Sequence, residues 1–127
     1  MTNTTDPSSL KKHTGFKRIL LAFMNTKKSL LWMLRNESAF QQEILLLLIA
    51  IPVVIVLDIN NYNRGFMVGS IIIILIVETL NTGLEAVVDR IGSEYHELSG
   101  LAKDCGSAAV FLSFILAVLV WVVVLFG

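Results

Sequence analysis

Four residues in the second half of the chain invite a chemical reading: Glu78, Asn81, Glu85 and Asp89, at offsets 0, 3, 7 and 11. At roughly 100° per residue they fall near 0°, −60°, −20° and +20°, so a helix would gather them into an arc of about 80°. Around them run long apolar stretches, and an ionisable group inside such a stretch is expensive enough to point to function. Three carboxylates on one stripe repel one another. A bound divalent cation relieves that repulsion, and so does a protonated carboxylate used in proton chemistry. Oxygen-rich ligands favour magnesium, which takes one or two carboxylates and completes its shell with water or substrate phosphates.

Other polar groups lie where they can join the stripe. Glu37 stands where the chain enters its first apolar run, and Glu94, His96, Glu97, Lys103 and Asp104 follow the stripe directly. Neither GxxxxGK[ST] nor GxGxxG occurs, so both common phosphate-cradling loops are absent. A phosphoryl-transfer site here has to work with discrete cations, Arg18 and Lys103 being candidates, beside carboxylate-held magnesium.

The elements that must position these groups are helices in lipid. Of 127 residues, 55% are hydrophobic and 16% charged, and the apolar ones are segregated into runs, as expected when lipid is the solvent. The length suits one domain. Residues 1–9 are polar and contain Pro7, which reads as a disordered tail. Within 10–36, Phe16, Ile19, Leu20 and Phe23 at i, i+3, i+4 and i+7 mark one helix face among Lys12, Lys17, Lys27 and Lys28. A basic amphipathic helix of this kind lies in the membrane interface. Transmembrane helices are expected at 38–57, 66–88 and 107–126, the first carrying Pro52. The polar stretch 58–65 reads as a turn between spans and 90–104 as a connector. The architecture expected is an all-α membrane protein with one surface helix and three spans. The polar N-terminus does not lead into a short apolar core with a cleavage site, so no secretory signal is expected. A single cysteine, Cys105, excludes an intrachain disulfide and a cysteine zinc site, and reads as a packing residue.

Charge sets the orientation. Residues 1–43 carry seven Lys and Arg against three acidic residues. This basic excess belongs in the cytoplasm by the positive-inside rule, giving N-in and C-out for three spans. The second span then runs inward, and Glu37, the stripe, Lys103 and Asp104 gather at the cytoplasmic boundary, where ATP is available. On periodicity and topology alone three readings stand: an interfacial metal-dependent enzyme, a proton- or cation-coupled carrier, and a structural or regulatory subunit. No nucleic-acid partner is expected.

Longer patterns narrow the choice. The segments E-x-x-N-x-x-x-E-A-V-V-D-R at Glu78–Arg90, I-G-S-E-Y-H-E-L-S-G at Ile91–Gly100 and A-K-D at Ala102–Asp104 closely resemble the signature of the prokaryotic diacylglycerol kinases. GF-x-RI at Gly15–Ile19 and NE-x-AF-x-QE at Asn36–Glu43 agree with it, so the resemblance covers most of the chain from Gly15 onward. It implies ATP-dependent phosphorylation of diacylglycerol to phosphatidic acid in the bacterial inner membrane, by a homotrimer with composite sites. In that pattern Glu78 is the general base, Glu37 and Glu85 hold the divalent ions, and Arg18 and Lys103 neutralise phosphate. Asp104 with Glu94, Tyr95 and His96 seats the rest of the nucleotide, while Asn81 and Asp89 support the constellation. The acceptor lipid lies near Arg18, Phe40, Gln42, Glu43, Ser107 and Trp121.

Simpler roles stand beside several of these. Glu94 and Glu97 also read as solvated charges, His96 as a loop cap, Trp121 as an interfacial aromatic, and Gly106, Ser107, Ala108 and Ala109 as small residues for close helix packing. The sequence departs from the familiar pattern at Leu101, where an arginine is usual, and at Leu31, where a basic residue is common. Both departures bear on nucleotide or headgroup contacts and neither removes a proposed reacting group. A related polyprenol kinase, acting on undecaprenol, would share the base and metal residues. The intact E-Y-H-E-L-S-G connector favours the diacylglycerol branch.

Overall fold

The computed structural model describes residues 14–127, so the expected tail at 1–9 and the start of the surface segment at 10–13 lie outside the described residues. Four helices follow one another: α1 (Phe16–Asn36), α2 (Ser38–Val56), α3 (Asn61–Ile91) and α4 (Glu97–Phe126). The chain is all-helical, and α2, α3 and α4 are each long and apolar enough to cross a membrane.

Two units are distinguished, one ending at Asn36 and the other running from Glu37 to Gly127. In the first, Gly15 at φ 70° turns the chain into α1 from the left-handed region, which a side chain disfavours. Phe16, Ile19, Leu20 and Phe23 recur on one face and are all exposed, as are the cations Lys17, Lys27 and Lys28. Thr26 and Asn36 turn their polar groups back onto the carbonyls of Ala22 and Trp32, at 2.8 Å each.

In the second unit α3 packs against both α2 and α4. Its buried residues Met67, Ser70, Ile71, Ile74 and Glu78 recur every three or four positions, the spacing of a single helix face. Glu78 therefore belongs to the packing face of α3, and the polar stripe continues that face toward the end of the helix. Small residues on α4 allow the approach: Gly106, Ser113 and Ala117 are its buried positions. Ser70 and Ser113 satisfy their hydroxyls within their own helices, on the Met67 and Val110 carbonyls at 2.7 and 2.6 Å. Pro52 is accommodated inside α2, which continues to Val56.

The connections are tighter than the polarity of the sequence suggests. Residues 61–65, expected in a turn, already form the start of α3, because Asn60 caps it by accepting the Asn63 N–H at 2.8 Å. Arg64 then reaches back to the end of α2. Its guanidinium donates to the Val54 carbonyl at 3.2 Å, the Leu57 carbonyl at 3.0 Å and the Asn61 side chain at 2.9 Å. It supplies a partner to the Val54 carbonyl, one of those a helix end leaves free, and a second donor to the Leu57 carbonyl, which also accepts the Ile59 N–H at 3.0 Å. The 90–104 connector contracts likewise: only 92–96 separate α3 from α4, and Lys103 and Asp104 are helical. There His96 caps α4, its Nδ1 accepting the Leu98 N–H at 3.1 Å, with Glu97 in the first turn, where a negative charge suits the helix dipole.

Candidate active site

The expected stripe lies on a single helix, α3, and its burial falls along the axis. Glu78 is 6% exposed, Asn81 and Glu85 are half-buried, and Asp89 is exposed. The innermost carboxylate is thus the one held among packed helices, and the outermost faces the loop end.

Glu37 joins this group from the start of α2. It occupies the capping position at φ −110° and ψ 108°, yet its side chain makes no capping hydrogen bond, so its carboxylate is not spent on the helix end. The charges that bear on Glu78 are those of Glu85 and Glu37. Glu43, buried six residues further along α2, is in turn within electrostatic reach of Glu78, and its Oε2 accepts no hydrogen bond. Carboxylates from two helices therefore converge on one locus.

Asn81 and Asp89 each have a side-chain partner. The Asn81 Nδ2 donates to Glu85 Oε1 at 3.4 Å, and Asp89 pairs with Lys103 of α4 at 2.6 Å. Lys103 is thereby brought to the same end of the helix pair as the stripe, with Asp104 next to it and exposed. Glu94, Tyr95 and His96 line an open cleft of about 660 Å³ formed by the α3–α4 connector and the residues flanking it, Ile91, Gly92, Ser93, Leu98 and Ser99. His96 spends Nδ1 on its cap, leaving Nε2 as the nitrogen able to meet a ligand.

The residues expected near an acceptor lipid separate. Phe40 and Glu43 are buried in α2, while Gln42 and Ser107 are exposed. Trp121 lies away from the carboxylates. Its indole N–H donates to the Met67 carbonyl at 3.2 Å, and Met67 is 11 residues before Glu78, about 16 Å along α3. Trp121 instead borders an apolar groove of about 270 Å³, lined also by Leu46, Ile71, Ile74, Phe114 and Val118. Arg18 is exposed in the first turns of α1, in the other unit.

Magnesium fits these donors in one specific sense. Among the described residues no three His, Cys, Asp or Glu side chains come close enough to form a complete protein cage. Glu37 and Glu85 are instead two hard oxygen donors from different helices, each close enough for its charge to act on Glu78. That suits an ion that takes a couple of carboxylates and completes its shell from phosphates. Sequence reasoning missed Arg64 as a structural cation. The signal was available, since an arginine four residues after a capping Asn can fold back over the preceding helix end.

The family model for prokaryotic diacylglycerol kinase matches residues 25–125. The chain is 48% identical to the diacylglycerol kinase of Escherichia coli (strain K12) over 114 residues, 90% of this chain and 93% of that protein. Identity to the Pseudomonas aeruginosa diacylglycerol kinase is 42% over 95% of this chain and 98% of that protein. For the Haemophilus influenzae diacylglycerol kinase it is 38% over 91% and 98%.

Proposed function

Because the chain belongs to the prokaryotic diacylglycerol kinase family, and so is a multi-pass lipid kinase that makes phosphatidic acid from diacylglycerol, we propose that the transfer runs at the carboxylate locus of α2 and α3 with Glu78 as general base. The observation that carries this reading is the burial of Glu78 on the packing face of α3, within reach of the charges of Glu85 and Glu37.

The ionised Glu78 carboxylate takes the proton of the lipid's primary hydroxyl as that oxygen bonds to the γ-phosphorus of ATP. The bond from γ-phosphorus to the β,γ-bridging oxygen breaks, ADP leaves with the electron pair, and Glu78 later returns its proton to water. Glu37 and Glu85 are the residues that would hold magnesium, which when bound offsets the negative charge of the phosphates. Asn81 orients Glu85, and Lys103, held by Asp89, stands ready to meet phosphate oxygens; Arg18 adds a second cation. Glu94, Tyr95, His96 and Asp104 seat the remainder of the nucleotide around the cleft. Phosphoryl transfer asks chiefly for positioning and charge neutralisation, which suits a site assembled from separate side chains.

The lipid enters from the side. Its headgroup lies by Phe40, Gln42, Glu43 and Ser107, and an acyl chain follows the apolar groove toward Trp121. The basic α1 lies in the cytoplasmic interface of the inner membrane, with N-in and C-out topology. Three copies share composite sites. The exposed apolar faces of the spans, Leu48 and Ile55 on α2 and Leu119 and Val123 on α4, support coverage by lipid or by a neighbouring copy.

Glu78→Gln tests the base. It should lose on the order of 10²- to 10⁴-fold in turnover while equilibrium binding of magnesium-ATP persists. Near-normal turnover in that variant would remove Glu78 from the role.

A further inference from the structure

Asn81 is bound on one side only. Its Nδ2 donates to Glu85 Oε1, whereas its Oδ1 is buried and accepts no hydrogen bond. Facing that oxygen across the helix pair is Gly106 of α4. A Cβ at position 106 would run into Asn81 Oδ1 and lie 3.2 Å from both Asn81 Cγ and Leu84 Cδ2. Among the described glycines, Gly106 alone would set a Cβ against another helix; Gly65, Gly69, Gly83 and Gly100 meet nothing within 4 Å. The hydrogen that Gly106 carries instead of a side chain points at Oδ1, the arrangement of a weak C–H···O contact.

A glycine inside a helix lowers its stability relative to alanine, so local preference argues against glycine at 106. The group that would have to move for an alanine is the Asn81 amide, the end of a side chain with two rotatable bonds. Moving it takes Nδ2 away from Glu85.

We propose that Gly106 is a positioning residue for the kinase reaction: by leaving room for the Asn81 amide between α3 and α4, it holds Asn81 in the rotamer that orients the Glu85 carboxylate toward the metal-nucleotide. This rests on the reading of Glu85 as a magnesium-nucleotide ligand. Gly106 touches no substrate and acts through Asn81. The chain of contacts is short: a missing methyl group, an amide, a carboxylate.

The test is a double-mutant cycle on the full-length protein in mixed micelles, with Gly106→Ala, Asn81→Ala, the double variant and Glu85→Ala measured together. Binding of Mn²⁺ with a non-hydrolysable ATP analogue, followed by electron paramagnetic resonance, reports the site without turnover, and Tm reports folding. Gly106→Ala is expected to weaken Mn²⁺-nucleotide binding about tenfold, the size of effect seen when a partner of a metal ligand is lost, with no fall in Tm. In the Asn81→Ala background, where the amide is gone, adding Gly106→Ala should change nothing further. Equal effects of Gly106→Ala in both backgrounds would show ordinary packing and overturn the proposal, as would unchanged binding in the single variant. Should Gly106→Ala fail to fold, Asn81→Ala alone must show the binding loss and the double variant must fold; either failing overturns it. Glu85→Ala separates the two ideas. If it leaves binding intact, the reading of Glu85 falls, and the proposal with it. If it weakens binding while Asn81→Ala and Gly106→Ala do not, the proposal falls alone.

Discussion

The Nζ of Lys103 lies 2.6 Å from Oδ1 of Asp89, an ion pair that joins the last turns of α3 to the beginning of α4. It does two things at once. It closes the end of the helix pair where the carboxylate stripe runs out, and it holds the Lys103 ammonium at that end. Asp89→Asn keeps the shape and removes the charge. It should raise KM for ATP by on the order of fivefold or less, as expected for a solvent-exposed pair. The difference between variant and parent should shrink as salt is raised, and a KM series at several ionic strengths checks it.

Glu85 is predicted to serve the metal-nucleotide and not the proton transfer. Glu85→Ala should raise the magnesium concentration needed for half-maximal activity by at least about tenfold, with partial recovery of rate at high magnesium. A magnesium titration unchanged from the parent would count against its role. The contrast with Glu78→Gln is the informative part, since only the base variant should keep its metal dependence while losing turnover.

Arg64 gives a prediction about stability alone. Replacing it by Met removes three donated hydrogen bonds, two of them to carbonyls at the end of α2. A hydrogen bond from a charged group contributes roughly 1.5–3 kcal/mol, and neighbouring bonds do not add fully. A loss of about 2 kcal/mol is therefore expected, read as a lower Tm in detergent, with KM for ATP unaltered in the folded fraction.

Trp121→Phe probes the far end of the bundle. Losing the indole N–H to the Met67 carbonyl should reduce stability by about 1 kcal/mol or less. Because that contact lies about 16 Å along α3 from Glu78, KM for ATP should stay constant. KM for diacylglycerol should rise, since Trp121 borders the apolar groove. Equal changes in both constants would place Trp121 in the nucleotide's surroundings.

Helix positions and the carboxylate stripe were legible because they are local. The 3.6-residue repeat puts Glu78, Asn81, Glu85 and Asp89 on one face whatever surrounds them, and apolar run length marks α2, α3 and α4. The ends of helices were less legible. Polar residues at 61–65 and 97–104 look like loop in a hydropathy reading, yet Asn60, Arg64 and His96 cap the helices and draw those residues into them. The motif resemblance supplied the reaction, and the family match agrees with it.

What the sequence determined by itself, then, is a set of helices, one of them bearing carboxylates on a narrow face. Only the tertiary structure decided that this face is also the packing face of α3, so that Glu78 is buried with Met67, Ile71 and Ile74 while Asp89 reaches Lys103. It also decided that Trp121 meets Met67 and that Asn81 faces Gly106. The reason is physical: spacing along a helix specifies direction about one axis. Which residues meet across two helices depends on their relative rotation and depth, and those are set by how side chains of both helices pack together.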